Sequence, residues 1–203
     1  MKVLVACEFS GTVRDAFIRR GHDAMSCDLL LSETEGPHRQ GDIRDVLGDG
    51  WDLMIAHPPC TYLTVTGNKW MKPEFSDRFP DRQAQRIAAA KFFVDLAEAP
   101  IGRIAVENPV GVMSTLYRKP DQYIQPYDFG HPHSKKTCLW LKNLWPLVPT
   151  NRCAPQWHAN PDGSIYRDSK GKRYSESAYQ GDWLSRSRTY QGIADAMAEQ
   201  WGS

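Results

Sequence analysis

The chain has 203 residues, of which 41% are hydrophobic and 24% charged, and its formal net charge at pH 7 is +1. This length is enough for one domain with a full core, and the composition is that of a soluble globular protein. Because no apolar run approaches membrane-spanning length and a strand pattern begins directly after Met1, we expect neither a membrane partner nor a signal peptide. The five cysteines have no regular spacing, which favours a reduced intracellular protein over a disulfide framework.

Short apolar strands alternate with helices from the start of the chain. The pattern predicts strands over 2–7 and 23–28, with a helix between them from Val13 to Arg20. Gly21 follows this helix at the position where a glycine commonly ends one. The turn before the helix contains Gly11, where a ligand could approach the backbone closely.

The same alternation continues to about residue 109. Residues 52–56 predict a strand, 82–97 the clearest helix, and 103–106 a further strand that ends at Glu107-Asn108-Pro109. Strands separated by helices indicate βαβ units, so we predict an α/β fold with a mostly parallel sheet flanked by helices. The apolar residues of the helix recur at steps of three and four: Ile87, Ala90, Phe93, Val94 and Ala97.

The pattern changes after Pro146. Residues 146–187 are rich in Pro, Gly, Ser, Asn and charge and have no helical period, which predicts a small irregular lobe. Residues 189–201 return to helical spacing. We therefore divide the chain into a catalytic and cofactor-binding core at 1–145, the lobe at 146–187, and a terminal helix at 188–203 that packs back on the core.

Basic residues are concentrated in the second half of the chain. Between His131 and Tyr190 there are ten Lys or Arg residues against four acids, and Trp and Tyr residues are interleaved with them. This pattern favours contact with nucleic-acid phosphates and stacking on bases. A solvated loop region is the alternative.

A cysteine follows the strand at 52–56 after two prolines, in Ala56-His57-Pro58-Pro59-Cys60. Proline has a fixed φ and no N–H, so the chain leaves the sheet in a rigid turn. The turn holds the thiol at the carboxyl edge of the sheet, where open α/β folds bind their ligands. Cys60 is therefore a candidate nucleophile, whereas Cys138, inside the apolar run 137–140, is expected to be buried and structural.

Two acids lie near other strand ends. Asp28 ends the second strand at about the spacing of an acid that binds ribose hydroxyls, and Asp42 could accept a hydrogen bond from an adenine amino group. Each acid alone is more often a cap or turn residue. Together with the glycine turn at 7–12, they predict a cofactor with an adenosine half, either a dinucleotide or S-adenosylmethionine.

Taken in order, these strand-end segments resemble the motifs of the DNA cytosine-5 methyltransferase family. The resemblance covers about the first 110 residues and, faintly, the last 15. It implies a Rossmann-like S-adenosylmethionine-dependent methyltransferase fold in a cytoplasmic protein of a bacterial or phage-infected cell. The segments that carry it are Phe9-Ser10-Gly11, Asp28, Gly41-Asp42-Ile43, Pro58-Pro59-Cys60 and Glu107-Asn108-Pro109.

The resemblance also implies a covalent mechanism. Carbon 5 of cytosine is a poor nucleophile, and a thiolate that adds to ring carbon 6 activates it. Cys60 would be that thiolate, Glu107 would hold the ring nitrogen and exocyclic amine, and Asn108 would brace the nucleophile turn. Since a thiol with a pKa of about 8.5 is mostly protonated at neutral pH, we expect the turn to favour the thiolate. Candidates for the necessary positive charge are His57, Lys135 and Lys136, although a strand-end hydrogen bond is the more ordinary role for His57.

The implied cofactor is S-adenosylmethionine. By resemblance, Asp28 would bind its ribose and Asp42 its adenine. The residues expected to line its site are Phe9, Ser10, Gly11, Asp28, Leu29, Asp42, Ile43 and Pro58.

The chain departs from the family pattern at several positions. Val13 replaces a second glycine, Thr61 follows the cysteine in place of glutamine, and lysines replace two spaced arginines before a later strand. Lys136 is the best substitute for the arginine that contacts the base, and Arg186 and Arg188 are rivals. The residues placed at the substrate are Thr61, Lys135, Arg186 and Arg188.

The lobe is too short for a full target-recognition domain. The substrate is therefore a short or loosely specified DNA site, single-stranded DNA or RNA, or a free cytosine nucleotide, and the basic excess favours a polymer. A monomer is favoured. A different class of function is non-catalytic binding of S-adenosylmethionine or nucleic acid, but such a protein would need neither Cys60 nor Glu107.

Two further features remain open at this point. Residues 64–82 form either a mobile loop over the nucleophile or a plain surface connection. No zinc site is expected, because His131, His133, Cys138, Cys153 and His158 lack paired ligand spacing.

Overall fold

The computed structural model describes residues 1–175 and 186–203. Within them one sheet of seven strands is flanked by helices on both faces. The strands are β1 (Lys2–Ala6), β2 (Asp23–Asp28), β3 (His38–Gln40), β4 (Leu53–Ala56), β5 (Arg103–Pro109), β6 (Gln122–Ile124) and β7 (Thr137–Lys142). The α-helices are α1 (Thr12–Arg19), α2 (Arg82–Ala97), α3 (Met113–Leu116) and α4 (Gln191–Trp201). Short 3-10 helices cover Ile43–Asp45, Val65–Met71, Pro73–Phe75 and Pro126–Asp128.

The strand order is β3-β2-β1-β4-β5-β7-β6. The first five strands are parallel, and β7 runs antiparallel between β5 and β6. The order reverses between β1 and β4, whose last residues, Ala6 and Ala56, are paired. The segments that follow β1 and β4 pass to opposite faces of the sheet. This divergence opens a crevice at the carboxyl ends of the two strands, where such folds bind ligands. The predicted α/β fold with a mostly parallel sheet is thus confirmed.

Each face of the sheet has its own apolar core. Alternate residues of a strand point to opposite faces. Val5 and Ile55 therefore pack toward α1 and α4, whereas Leu4 and Met54 pack toward α2. Burial on both faces explains why these strands are continuous apolar runs rather than alternating ones.

The terminal helix α4 lies against α1. Their cores meet through Phe17, Met197 and Trp201, and two ion pairs join their outer surfaces. These pairs are Arg19–Asp195, at 2.8 Å, and Arg20–Glu199, at 3.3 Å. Gly21 ends α1 with a φ of 83°, as the glycine position predicts.

Two details of the predicted elements are wrong. Ile87 belongs to the predicted apolar face but is 61% exposed, because the buried part of α2 is its second half, where Phe93, Leu96 and Ala97 lie. In addition, β5 does not end before Glu107. It runs to Pro109 because β7 pairs with it along that extra length.

The segment after the nucleophile turn is folded on its own aromatic cluster. The Trp70 ring lies 5.0 Å from that of Phe75 and 5.4 Å from that of Phe79. Arg86 of α2 holds the segment by donating to the Tyr62 carbonyl at 2.9 Å and to Asn68 Oδ1 at 2.8 Å. Residues 64–82 thus form a structured connection.

In the described part of the predicted lobe, isolated antiparallel bridges join three short segments. The bridged positions are Trp157 with Ser175, Ala159 with Ile165, and Arg167 with Arg173. Residues 176–185 of the predicted lobe lie outside the described residues. We refer to residues 157–175 as the ribbon.

Candidate active site

Two adjoining cavities open at the carboxyl ends of β1, β2 and β4. Their volumes are about 360 Å³ and 240 Å³, and Cys7, Asp28 and Pro59 line both of them. The larger cavity also contacts Cys60 and the segment 186–189, and the smaller one contacts Asp42. The site therefore lies at the crevice that the strand order creates.

Glu8, in the turn after β1, caps the N-terminus of α1. Its two carboxylate oxygens accept the backbone N–H groups of Val13, at 2.7 Å, and Arg14, at 3.2 Å. Burial raises the pKa of Glu8, although His57 and these N–H groups act in the opposite direction. The positive end of α1 is thus already occupied by a carboxylate of the chain itself. Sequence reasoning did not single out Glu8.

The space beside Gly11 is filled by other residues of the protein. The expectation that a ligand approaches the backbone at Gly11 is therefore corrected. The φ of Gly11 is 75°, and a Cβ built on it would lie 2.1 Å from Thr34 Oγ1 and 2.6 Å from Arg14 Nη2. The loop after β2 fills the space that we had assigned to a cofactor. Phe9 and Ser10, its neighbours, do line the larger cavity.

Arg14 holds that loop in place. Its fully buried guanidinium donates to Ser26 and Ser32, both at 3.2 Å, to Thr34 at 2.6 Å and to the Glu35 carbonyl at 3.0 Å. The same loop carries Leu29 and Leu30 to the cavities. The sequence around Arg14 is that of an amphipathic helix, in which a buried arginine looks the same as a surface arginine. The burial of Arg14 could therefore not be predicted from the sequence.

Gly11→Ala is expected to destabilise the fold by about 2 kcal/mol or more, because a left-handed backbone and a collision with Thr34 both oppose the new Cβ. Gly50→Ala is the matched control: its φ is also 75°, but none of the described residues lies within 4 Å of its Cβ position. This control should cost about 1 kcal/mol. Urea unfolding of both variants measures the difference, and equal losses would contradict the packing role of Gly11.

The residues around the smaller cavity include several predicted for a cofactor. Asp42 caps the 3-10 helix by accepting Arg44 N–H at 3.0 Å, and its other oxygen pairs with Arg44 Nη1 at 3.1 Å. Asp28 accepts the Leu30 N–H at 2.9 Å. Leu29, Ile43 and Phe92 complete this cavity, and Phe92 is a residue that sequence reasoning missed.

The two prolines of the nucleophile turn have different surroundings. Pro58 is buried, and its carbonyl accepts a 2.8 Å hydrogen bond from Asn108 Nδ2. Pro59 lines both cavities. The prediction that Pro58 lines the cofactor site therefore needs correction, because the turn directs Pro58 into the protein and Pro59 toward the crevice.

The charge of Glu107 acts on the Cys60 thiol. Burial and the negative charge of Glu107 raise the pKa of Cys60, and Lys135 opposes them. The turn therefore does not by itself favour the thiolate, contrary to our expectation. Burial also raises the pKa of Glu107, but His57, Lys135 and Thr137 lower it further, so the carboxyl is held below its usual pKa.

The two adjacent lysines before β7 point to different places. Lys136 lies over the Tyr123 ring, with Nζ 4.1 Å from the ring centroid. Lys135 donates to the Arg186 carbonyl at 2.7 Å and is the lysine whose charge acts on both Cys60 and Glu107. The structure thus brings Lys135, rather than Lys136, to the predicted catalytic pair.

The segment before α4 closes one side of the larger cavity. Arg186 and Arg188 line it together with Thr61. Arg188 forms a two-pronged ion pair with Glu33, with N–O distances of 2.7 and 2.6 Å. The pair joins this segment to the loop after β2 across the cavity.

The remaining cysteines and histidines form no metal centre in the part of the chain that is described. Cys138 is buried in β7, as predicted. Over residues 1–175 and 186–203, no three His, Cys, Asp or Glu side chains are grouped as ligands for an ion. Nor does any helix in these ranges combine the length and apolar character needed to cross a bilayer.

No protein-family model and no curated protein matches the chain. The solved structures that it resembles include a prophage-encoded E. coli protein, described by its name as a candidate DNA modification methyltransferase. The two share 15% sequence identity and superpose with a TM-score of 0.48. The matched region covers 85% of this chain and 62% of that one, so this chain spans less than two thirds of the other's length.

Proposed function

We propose that the chain transfers a methyl group from S-adenosylmethionine to carbon 5 of cytosine in DNA, through a covalent adduct of Cys60 at ring carbon 6. One observation carries the proposal. Cys60 stands at a strand-switch crevice on a turn braced by Asn108, within the electrostatic reach of Glu107 and Lys135. A thiol, a carboxyl and a cation grouped in this way can attack, hold and stabilise a pyrimidine ring.

Each of these three residues has a separate task. The Cys60 thiolate forms the bond to carbon 6, which places electron density on carbon 5 for attack on the methyl group. Glu107 binds the ring nitrogen and the exocyclic amine. Lys135, one of the three residues considered for the charge that favours the thiolate, stabilises the negative charge on sulfur and on the ring. It also takes the place of Lys136, the initial candidate for the contact to the base.

The turn after β1 supports S-adenosylmethionine over a dinucleotide. A dinucleotide places its pyrophosphate against the N-terminal N–H groups of the first helix. Here the Glu8 carboxylate occupies those groups, and a phosphate would meet its negative charge. S-adenosylmethionine has no phosphate and, when bound, supplies an electrophilic methyl group on a sulfonium. The residues that would hold it are Phe9, Ser10, Asp28, Leu29, Asp42, Ile43, Pro59 and Phe92.

The ribbon supports a polymeric substrate. Arg167 and Arg173 are paired directly across it, and like charges in that position destabilise a strand pair in the absence of a counter-charge. Arg173 also lies over the Trp157 ring, at 4.3 Å from its centroid. Nucleic-acid phosphates would supply negative charge for these two arginines.

The double variant Arg167→Ala/Arg173→Ala is expected to weaken DNA binding and to reduce the slope of log affinity against log salt by about 2, one unit for each lost phosphate contact. Fluorescence anisotropy over a salt series measures both effects. The charge-matched control is Arg19→Ala/Arg20→Ala on α1, which alters exposed arginines paired with α4. An unchanged salt slope in the ribbon variant would exclude the ribbon from the DNA interface.

The proposed reaction is tested by incubating the protein with methyl-labelled S-adenosylmethionine and each of four substrates: duplex DNA, single-stranded DNA, RNA and a free cytosine nucleotide. We expect label in 5-methylcytosine of duplex DNA. Label only in the free nucleotide would move the function to nucleotide methylation by the same chemistry. Cofactor binding by calorimetry without label in any substrate would leave a non-catalytic binding protein.

A further inference from the structure

We propose that His57 determines which oxygen of Glu107 carries a proton, and that it thereby makes the site select cytosine over uracil. This inference rests on the proposed function, since it concerns the base that Cys60 attacks. His57 is the residue before the two prolines, and the sequence made it only a candidate for the charge that favours the thiolate or for a strand-end hydrogen bond.

The histidine is held rigidly beside Glu107. Its backbone N–H donates to the Ala6 carbonyl at 2.9 Å, and the prolines after it fix the direction of the chain. Its side chain is only 9% exposed, and Nδ1 lies 3.1 Å from Glu107 Oε2. Nε2 is buried without a hydrogen-bond partner among the described residues. Within the described residues, the ring is therefore anchored by its hydrogen bond to Glu107.

The direction of this hydrogen bond follows from the acceptor. An ionised carboxylate can only accept, so Nδ1 carries the hydrogen and Oε2 receives it. The other tautomer, with the hydrogen on Nε2, would bury an N–H group that has no acceptor among the described residues. We therefore infer that Nδ1 keeps its hydrogen when Glu107 gains a proton, which places that proton on Oε1. His57 is thus a positioning residue that fixes Oε2 as an acceptor in both charge states of Glu107.

This pattern matches one pyrimidine and not the other. Cytosine offers a donor at its exocyclic amine and an acceptor at N3, which fit Oε2 and a protonated Oε1, respectively. Uracil offers an acceptor at O4 and a donor at N3–H. Since Oε2 cannot donate, O4 of uracil would be buried against an acceptor. Sites built for one hydrogen-bond pattern reject an analogue that leaves buried groups unpaired.

Several elements packed around His57 and Glu107 contribute other charged or titratable groups. Glu8 lies on the β1 side, Cys60 on the turn itself, and Lys135 before β7. Asp28, Arg186 and Arg188 line the larger cavity that His57 also contacts. The imidazole forms its hydrogen bond with Glu107, so the effect of altering His57 on the carboxyl pattern should pass through Glu107.

The test measures thiol addition without any cofactor. When Cys60 adds to carbon 6, carbon 5 takes up a proton from solvent. Carbon 5 then loses the hydrogen that it carried originally, and the thiolate leaves carbon 6. The base is regenerated with its carbon-5 hydrogen exchanged for one from solvent. Tritium release is therefore compared for DNA carrying 5-tritiated cytosine and DNA carrying 5-tritiated uracil. Wild type should release tritium from cytosine with strong preference. His57→Ala should lower the cytosine-to-uracil ratio by about tenfold or more.

Two conservative variants separate positioning from packing. His57→Asn retains an amide N–H near the Nδ1 position and should keep most of the preference, whereas His57→Gln places its amide farther out and should resemble His57→Ala. An unchanged ratio in folded His57→Ala would overturn the inference and leave the proposed function intact. No exchange by wild type on either base would overturn both.

A measurement on the unaltered protein covers the case in which the variants do not fold. ¹⁵N NMR of the histidine side chains reports which ring nitrogen is protonated. We expect Nδ1 of His57 to carry a hydrogen at neutral pH. A bare Nδ1 with hydrogen on Nε2 would overturn the inference.

Discussion

Cys60→Ala is expected to abolish methyl transfer, lowering the rate by about 10⁴-fold or more, because the ring can no longer be activated by addition at carbon 6. Substitution of this half-buried side chain leaves the braced turn intact, since Asn108 binds the Pro58 carbonyl rather than the thiol. The thermal midpoint should therefore stay close to that of wild type. The measurement is incorporation of labelled methyl groups into DNA.

Cys153→Ala is the matched control, because Cys153 is a second partly buried thiol that lines neither cavity. It should retain the wild-type rate. Full activity in Cys60→Ala would rule out the covalent mechanism, whatever the activity of the control.

Glu107→Gln is expected to change two properties in opposite directions. Methyl transfer should fall by about 10² to 10³-fold, since an amide can form the same two hydrogen bonds to the base but cannot transfer a proton to N3 as negative charge develops on the ring. Alkylation of Cys60 by iodoacetamide should become faster near pH 8. The charge of Glu107 raises the pKa of Cys60, so its removal lowers that pKa and increases the thiolate fraction.

Peptide mass spectrometry separates alkylation at Cys60 from reaction at the other cysteines. Glu199→Gln, on the exposed surface of α4, is the control that removes a carboxylate far from the site. If Glu107→Gln slowed both methyl transfer and alkylation, the variant would have disturbed the turn itself, and the proposed electrostatic coupling between the two residues would be wrong.

Much of the parallel part of the fold could be predicted because its central strands are continuous apolar runs that are buried on both faces. β1 and β4 show this pattern, and α1 and α2 have helical periodicity. β3 and β6 are different. Each has only three residues and exists by pairing with a longer neighbour, which no local pattern reveals.

The site was predictable where it depends on strand ends. Cys60 follows β4, Asp28 ends β2 and Glu107 lies near the carboxyl end of β5, and the carboxyl ends of parallel strands meet at one edge. The tasks of Glu8 and Arg14 depend on burial and on partners distant in sequence, so they required the structure. The choice between Lys135 and Lys136 is similar, because neighbouring side chains of an extended segment point in opposite directions.

The central claim is that Cys60 bonds to carbon 6 of cytosine. It is tested most directly by incubating the protein with S-adenosylmethionine and duplex DNA that contains 5-fluorocytosine, in which fluorine blocks release of the base after methyl transfer. We predict a denaturant-stable protein–DNA adduct, and peptide mass spectrometry should place the modified base on Cys60. Methylation of ordinary cytosine DNA, with no adduct from the fluorinated substrate or with an adduct at another residue, would contradict the mechanism.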